Sequence, residues 1–376
     1  MEYILLGLSS ILIIPTVVYG IYSSAILFFK AKDQKRKLKE LPKITVFFPA
    51  WNEAKVVDMR IKNLAQLDYP KNKIEIIVVD DKSSDKTRGL CLKAFEKYKI
   101  KGQVITNKKR RGTNYNYNLG VKKAKTDIVL TTDADVIFDK KAIKEGLKVL
   151  LSSDKIGAIC GELKPIIQKR SIATSTEAPY RNVYGKMCSW ESSLESSYCF
   201  NGPFIILKKK AFSPINVQRG ASDASCALNI LKNGYQTKYV SKAKFSELIA
   251  TGLKEQKRQK IRRATRLLQC TWEARDLLFR KGWFGSFIFP LRVIMFMVAP
   301  LTFFVGIISV IGILFYLNWI AGIIGLLVGL SVFVVGRVKE NFLSSFVWHQ
   351  YYLSAGFVKM FKPNYLWKPI GRKRIK

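Results

Sequence analysis

Two long stretches without a single charged residue bracket this chain, residues 3–29 and residues 293–336, and they limit what it can fold into. A membrane-spanning helix needs about 20 apolar residues, so the first stretch is long enough for one span and the second for two. Tyr3 to Phe29 exceeds a signal-peptide core, and Glu2 is the wrong charge for the region before one, so we read an uncleaved anchor. Lys30, Lys32, Lys35, Arg36, Lys37 and Lys39 follow at once, and basic residues beside a span stay in the cytoplasm. Asn318-Trp319 breaks the second stretch into spans at about 294–316 and 319–336, which returns Arg337, Lys339 and Arg372-Lys373-Arg374 to the cytoplasm. The expectation is a multi-pass cell-membrane protein with three spans, its N-terminus outside and its middle inside. Its segments are an anchor (1–30), a cytoplasmic domain (40–282), an interfacial helix with a hairpin (283–338) and an amphipathic basic tail (339–376). Trp283–Val298 suits the membrane interface. Residues 340–361 suit a helix on the inner leaflet, with a short fourth span as the alternative.

Composition narrows the chemistry. Lys and Arg number 64 against 27 Asp and Glu, a formal net charge of +37. Such a charge has nucleic acid, anionic lipid or phosphorylated substrates as partners. Beside membrane anchors, and with no nucleic-acid recognition module, an anionic lipid membrane is the simplest of them. The single histidine, His349, excludes a Ser-His-Asp triad and a multi-histidine zinc site. The six cysteines are scattered without a Cys-x-x-Cys pair and read as free thiols.

The middle alternates short apolar runs with amphipathic ones. Ile44–Phe48, Ile74–Val79, Gln103–Thr106, Ile128–Thr132 and Ile156–Cys160 read as strands. Ala54–Gln66, Asp85–Tyr98, Asn116–Ala124 and Lys140–Leu151 read as helices. Apolar strands separated by helices predict a parallel sheet covered on both faces, with ligands beyond the carboxyl ends of its strands. The polar clusters Asn52-Glu53, Asp80-Asp81 and Asp133/Asp135 fall at those ends. Asp133-Ala134-Asp135 offers two carboxylates able to share Mg²⁺ or Mn²⁺ with a diphosphate, where Asp-x-Asp alone would equally suit a solvated strand end. Asp80-Asp81 suits either a contact to a base N–H or a helix start capped by Ser83, Ser84 or Asp85. Lys108-Lys109-Arg110-Arg111-Gly112 suits either a diphosphate or a solvated basic loop.

In order along the chain, Phe-Pro-Ala-Trp-Asn-Glu (48–53), Val-Val-Asp-Asp-Lys-Ser-Ser (78–84), Asn118-Leu-Gly120 and Thr-Asp-Ala-Asp (132–135) resemble family 2 glycosyltransferases. Gly-Ala-Ser-Asp-Ala-Ser (220–225) before Asn-Gly-Tyr-Gln (233–236), and Gln-Lys-Ile-Arg-Arg (259–263), are similar to motifs of the membrane-embedded, cellulose-synthase-like branch, which includes archaeal mannosyltransferases acting on lipid-linked glycans. The resemblance implies a GT-A-type, Rossmann-like α/β fold. Pro49, Trp51, Glu53 and Asp81 would line the base and ribose, with Arg111 and Asn118 also on the nucleotide sugar. Asp133 and Asp135 would hold the ribose and the metal. Asp223 would be the catalytic base, Gln259 and Arg262 would steady the leaving diphosphate, and Asn201, Gly202 and Arg263 would meet the acceptor. Two positions depart from the pattern: Arg263 stands where processive members have Trp, and Thr113 where many have Lys.

The function this implies is an inverting hexosyltransferase. It would move a hexose, mannose among the candidates, from a GDP- or UDP-linked sugar to a lipid-linked glycan at the cytoplasmic membrane face. A processive polysaccharide synthase and a polyprenyl-phosphate hexosyltransferase are the enzyme alternatives. A membrane-surface scaffold with a vestigial fold is the alternative outside catalysis.

Overall fold

The computed structural model describes residues 2–29, 38, 40–166, 177–248, 253–338 and 342–362. The basic residues expected to follow the first span (Lys30, Lys32, Lys35, Arg36, Lys37, Lys39), Lys339 and the end Arg372–Arg374 lie outside the described residues. The chain divides into two compact units: Met1–Phe29 with Lys169–Val183 and Ala250–Lys362, and Lys30–Gln168 with Tyr184–Ile249 and Pro363–Lys376.

The second unit is built on one sheet. Its first part follows the expected alternation: β1 (Ile44–Ala50), α3 (Val57–Ala65), β2 (Ile74–Asp80), α4 (Thr87–Lys97), β3 (Gly102–Thr106), α5 (Thr113–Lys123) and β4 (Ile128–Thr131). β1, β2 and β4 are apolar and almost wholly buried, as strands covered on both faces must be. Then come β5 (Val136–Phe138), α6 (Ala142–Leu150), β6 (Ile156–Ile166), α7 (Glu177–Leu194), β7 (Ile205–Lys208), α8 (Ser222–Lys232) and β8 (Gln236–Leu248). The strand order is β3-β2-β1-β4-β7-β6-β8-β5.

The sheet is mixed, which corrects the expected parallel one. β7 pairs antiparallel with both β4 and β6, and β5 pairs antiparallel with β8. β7 follows β6 through α7 and the loop 195–204, and it runs against both of its neighbours. That loop therefore leaves the sheet at the end where β4 finishes, with Thr131 opposite Ile205. α5 lies close on β1 because position 120 is glycine: a Cβ there would come within 2.2 Å of the Phe47 ring.

The first unit is helical. α1 (Glu2–Ser10) and α2 (Ile13–Phe28) are separated by a turn, as Pro15 requires, since its ring excludes the carbonyl four residues earlier. α9 (Leu253–Glu273) precedes a helical run in which α10 (Phe289–Val293) is flanked by π-helical turns at Phe284–Ile288 and Ile294–Val298. α11 (Ala299–Leu317), α12 (Trp319–Val338) and α13 (Phe342–Lys359) follow. Leu12 packs where Gly306 leaves room on α11, the small-residue contact that lets apolar helices approach. Among the described residues, two helical stretches are long and apolar enough to cross a membrane, Tyr3–Phe28 and Phe284–Leu317, and Trp319–Val332 is a shorter apolar one.

Candidate active site

The carboxyl ends of β1, β2, β3 and β4 lie side by side, and the loops that leave them are tied to one another. Beyond β1, Asn52 adopts φ 57°, a conformation Asn tolerates better than most residues. It is held there by Ser84 N–H donating to its Oδ1 (2.8 Å), while its own N–H donates to Ser83 Oγ (3.0 Å). Glu53 N–H donates to Thr87 Oγ1 (2.8 Å), so the 51–54 turn is fastened to the start of α4. Pro49 and Trp51 are half-buried beside it.

Asp81, expected at the base, is 4% exposed and holds the basic loop. Its Oδ1 accepts from Asn107 Nδ2 and Arg111 N–H (2.8 Å each), and its Oδ2 from Gly112 N–H (2.9 Å). A carboxylate has about four acceptor sites, so three are spent inside the protein. The Arg111 guanidinium lies over the Tyr115 ring at 4.2 Å, and the Arg110 guanidinium lies over Trp51 at 3.3 Å.

The Asp133-Ala134-Asp135 turn follows β4 directly, and Asp135 is 5% exposed. Beneath it lies Arg60 of α3, fully buried, which the sequence reading missed. Its Nη2 donates to Thr132 Oγ1 (2.9 Å), and its Nη1 to Val136 O (2.9 Å) and Asn63 Oδ1 (3.0 Å). Its guanidinium is 4.0 Å from the centroid of Phe138. The turn is thus gripped immediately before and after its two carboxylates. Burial pulls the Arg60 pKa down to about 9, against the opposing pull of Asp133 and Asp135. The signal for it was present: Val57, Arg60, Ile61 and Leu64 form the buried stripe of α3, and a charge within such a stripe requires partners.

These residues suit a hard divalent cation. Two carboxylates at i and i+2 on a braced turn supply oxygen donors, and among the described residues no group of three or more metal-binding side chains completes a cage. The remaining ligands would be diphosphate oxygens and water, the usual arrangement for Mg²⁺.

Asp223 stands in the first turn of α8, half-buried, with its Oδ1 accepting from Ala224 N–H (2.8 Å). A side chain at Gly202 would come within 3.1 Å of Asp223 Oδ2, so the loop before β7 lies against this carboxylate. Asn201 is buried and donates to Gly161 O (3.0 Å). Tyr117 links the neighbourhood to β4 through Thr131 Oγ1 (3.1 Å). Burial raises the Tyr117 pKa well above its ordinary value and Cys226 to about 12, and Asp223 adds to both shifts.

Asn118, expected on the nucleotide sugar, donates from Nδ2 to Ile215 O (2.8 Å) and accepts at Oδ1 from Ile215 N–H (2.9 Å). One turn earlier, Asn114 donates to the carbonyls of Asn216, Arg219 and Gly220 (2.6, 3.0 and 3.1 Å). Together they staple to α5 the loop that carries Asp223. The structure therefore brings Asp133, Asp135, Asn201, Gly202 and Asp223 to one rim of the sheet. Gln259 and Arg262, half-buried, and Arg263, exposed, lie on α9 of the other unit.

Residues 45–212 match the family model described as glycosyl transferase family 2. The chain is 34% identical over 142 residues to "Probable glycosyltransferase YdaM" of Bacillus subtilis (strain 168), covering 37% of this chain and 34% of that protein. It is 26% identical over 230 residues to poly-beta-1,6-N-acetyl-D-glucosamine synthase of Staphylococcus aureus (strain COL), covering 59% of this chain and 54% of that one. These matches span about half the length, or less, of those curated relatives. Among solved structures, mannosyltransferase PcManGT from Pyrobaculum calidifontis, in complex with GDP-Man and Mn2+, is similar in fold. Its TM-score is 0.75 at 21% identity, over 94% of this chain and 99% of that one. Sheet, strand-end loops and sequence match agree: residues 45–212 are similar to glycosyl transferase family 2 and lie on a mixed, GT-A-like α/β sheet.

Proposed function

We propose that this chain is an inverting hexosyltransferase that moves a sugar from a GDP- or UDP-linked donor to a lipid-linked glycan at the cytoplasmic face of a membrane. The observation that carries the reading is the shared rim. β7 begins where β4 ends, so the turn bearing Asp133 and Asp135 and the loop of Asn201 and Gly202 leave the sheet together, and Gly202 lies against Asp223. The GDP-Man and Mn2+ bound to the fold neighbour, and the polymer made by the staphylococcal relative, are consistent with a nucleotide sugar donor and a glycan acceptor.

In this mechanism Asp133 and Asp135 would hold the divalent cation, which would neutralise charge on the leaving diphosphate. Asp223 takes the proton from the acceptor hydroxyl as its oxygen bonds to the anomeric carbon. The bond to the diphosphate breaks on the opposite face, and the nucleoside diphosphate leaves with the electron pair. Arg60 keeps the two metal-binding carboxylates in place. Gln259 and Arg262 are assigned to the leaving group and Arg263 to a charged acceptor.

The test is release of nucleoside diphosphate from a panel of nucleotide sugars, with membrane lipid extract as acceptor source. Release is expected with Mn²⁺ or Mg²⁺, its loss in EDTA, and its return when either ion is restored. Full activity in EDTA would overturn the metal assignment, and no release from any donor would overturn the enzyme reading.

A further inference from the structure

The loop that enters β7 is buried although it belongs to no strand or helix. Tyr198, Cys199, Phe200 and Asn201 are between 0 and 6% exposed. A buried irregular segment must find partners for its polar groups outside itself, and this one finds them on three elements. From α7, Tyr184 Oη donates to Cys199 O (2.6 Å), and Cys188, one turn on, directs its Sγ to the same carbonyl (3.6 Å). From β6, Gly161 O accepts from Asn201 Nδ2 (3.0 Å), and Gly161 N–H donates to Phe204 O (3.0 Å). From β8, the Tyr239 hydroxyl accepts from Asn201 Nδ2 (3.5 Å).

We propose that Tyr184 and Tyr239 are positioning residues for the acceptor: their hydroxyls set where Asn201 and Gly202 stand beside Asp223. This rests on the transfer reading above, in which Asn201 and Gly202 meet the acceptor.

The first support is how near the contacts fall to Asp223. Cys199 is three residues before Gly202, where a Cβ would come within 3.1 Å of Asp223 Oδ2. Gly161 holds the loop on both sides of Gly202, at Asn201 and at Phe204, so a shift at Cys199 is passed on with little slack. A small misplacement of reacting groups is costly in rate. The second support is the frame behind the two tyrosines. Tyr184, Cys188 and Glu191 share one face of α7 at i, i+4 and i+7. Glu191 is fully buried and accepts from Ser197 Oγ (2.6 Å), and Ser192 Oγ accepts from Tyr239 N–H (2.7 Å). Position 185 is glycine, and a Cβ there would come within 3.1 Å of the Tyr239 hydroxyl. One helix therefore fixes the loop directly and fixes the strand that carries its second tyrosine. The third support is separation from the metal-binding turn. The hydrogen bonds of Arg60, which brace that turn, go to Asn63, Thr132 and Val136, none of them in this loop. Loosening the loop should therefore spare the donor side.

Each lost hydroxyl removes a hydrogen bond worth about three- to tenfold in an equilibrium constant. The experiment follows transfer by the full-length protein in detergent, with membrane lipid extract as acceptor source. The proteins are wild type, Tyr184→Phe, Tyr239→Phe and Tyr69→Phe. Tyr69→Phe is the matched control: its hydroxyl also donates to a carbonyl, Pro42 O (2.5 Å), but just before β1 and β2 begin, at the opposite ends of those strands from the rim. Tyr184→Phe and Tyr239→Phe should each raise the apparent KM for the acceptor about three- to tenfold, with donor KM and GDP or UDP affinity in Mn²⁺ within about twofold of wild type. Tyr69→Phe should lower Tm and leave both KM values in place. If one rim variant does not fold, the other carries the test. An unchanged acceptor KM in the folded rim variants overturns the proposal. So does an equal rise in Tyr69→Phe, which would make the effect one of general stability. So does a parallel loss of donor affinity, which would place the loop on the nucleotide. No transfer by wild type from any donor would overturn the transfer reading itself, and the proposal with it.

Discussion

Asp223 and Arg60 act on the same rim in different ways, and single substitutions separate them. Asp223→Asn should lower kcat by about 10²- to 10⁴-fold, the usual loss of a general base, with nucleotide affinity unchanged. A fall in nucleotide affinity instead would place Asp223 on the donor or reduce it to a cap for α8. Gly202→Ala puts a methyl within 3.1 Å of the same carboxylate, so it should raise KM for the acceptor more than KM for the donor. Arg60 touches neither substrate and is a positioning residue. Arg60→Met removes two hydrogen bonds from the Thr132–Val136 turn and a third to Asn63, and leaves buried acceptors unpaired, each costing about 1–3 kcal/mol. Weaker Mn²⁺ binding, measured by titration on folded protein, should accompany a lower Tm. Arg60→Lys keeps the charge and should recover part of both. A lower Tm with unchanged Mn²⁺ affinity would make Arg60 purely structural. Cys91 and Cys226 are held at about 12 by burial, so at pH 8 both are protonated as well as covered. All six thiols should react with a thiol reagent only after unfolding.

α5 does for the Asp223 loop what α3 does for the acidic turn. Asn114 and Asn118 are one turn apart and face the 215–220 segment, supplying hydrogen bonds that an irregular loop does not make to itself. Asn118→Ala should destabilise the protein by about 1–3 kcal/mol. It should also reduce kcat with little change in nucleotide affinity, because what moves is the loop leading to Asp223. A loss of donor affinity in a stable Asn118→Ala protein would restore the direct nucleotide contact that the family resemblance implies. Part of the large positive charge is likewise spent on elements. Lys209 donates to Ala124 O at the end of α5, and Lys238 to Ser192 O and Glu195 O at the end of α7. A cation there meets the negative end of the helix dipole.

Across the whole chain, the apolar stretches and the catalytic unit make one joint prediction. If the chain spans the membrane three times with its N-terminus outside, Leu317→Cys, exposed at the end of α11, should react with an impermeant thiol reagent on intact cells. Lys125→Cys, exposed on the sheet unit, should react only after permeabilisation. The native cysteines, all buried, leave the signal clean. Labelling in the opposite sense would reverse the topology and separate the catalytic rim from a cytoplasmic supply of nucleotide sugars. Phe284–Leu317 as a continuous helix would be about 50 Å long, longer than the roughly 30 Å hydrocarbon core, so some of it must lie in the interface or outside.

What could be read without a structure was whatever repeats locally. The apolar runs of β1, β2 and β4, the helices between them and the acidic residues at their ends are set by patterns of a few residues, and each appears where it was expected. β8 also carries a legible alternation, with Tyr239 and Phe245 buried and Lys244 exposed, although it was not read as a strand. β5 has three residues, too few for any period, and exists because β8 pairs with it. The direction of β7 depends on how the loop before it enters the sheet, not on its own residues. Arg60, Asn118 and Asp81 show the same division at the site. Their positions in α3, in α5 and after β2 were locally encoded. Their partners are 76, 97 and 31 residues away, and a hydrogen bond over such a separation has no local signature. Folding decided that Asn118 would staple a loop, that Asp81 would hold the basic loop, and that Arg60 would lie beneath two carboxylates, because only the packed chain brings each donor to its acceptor.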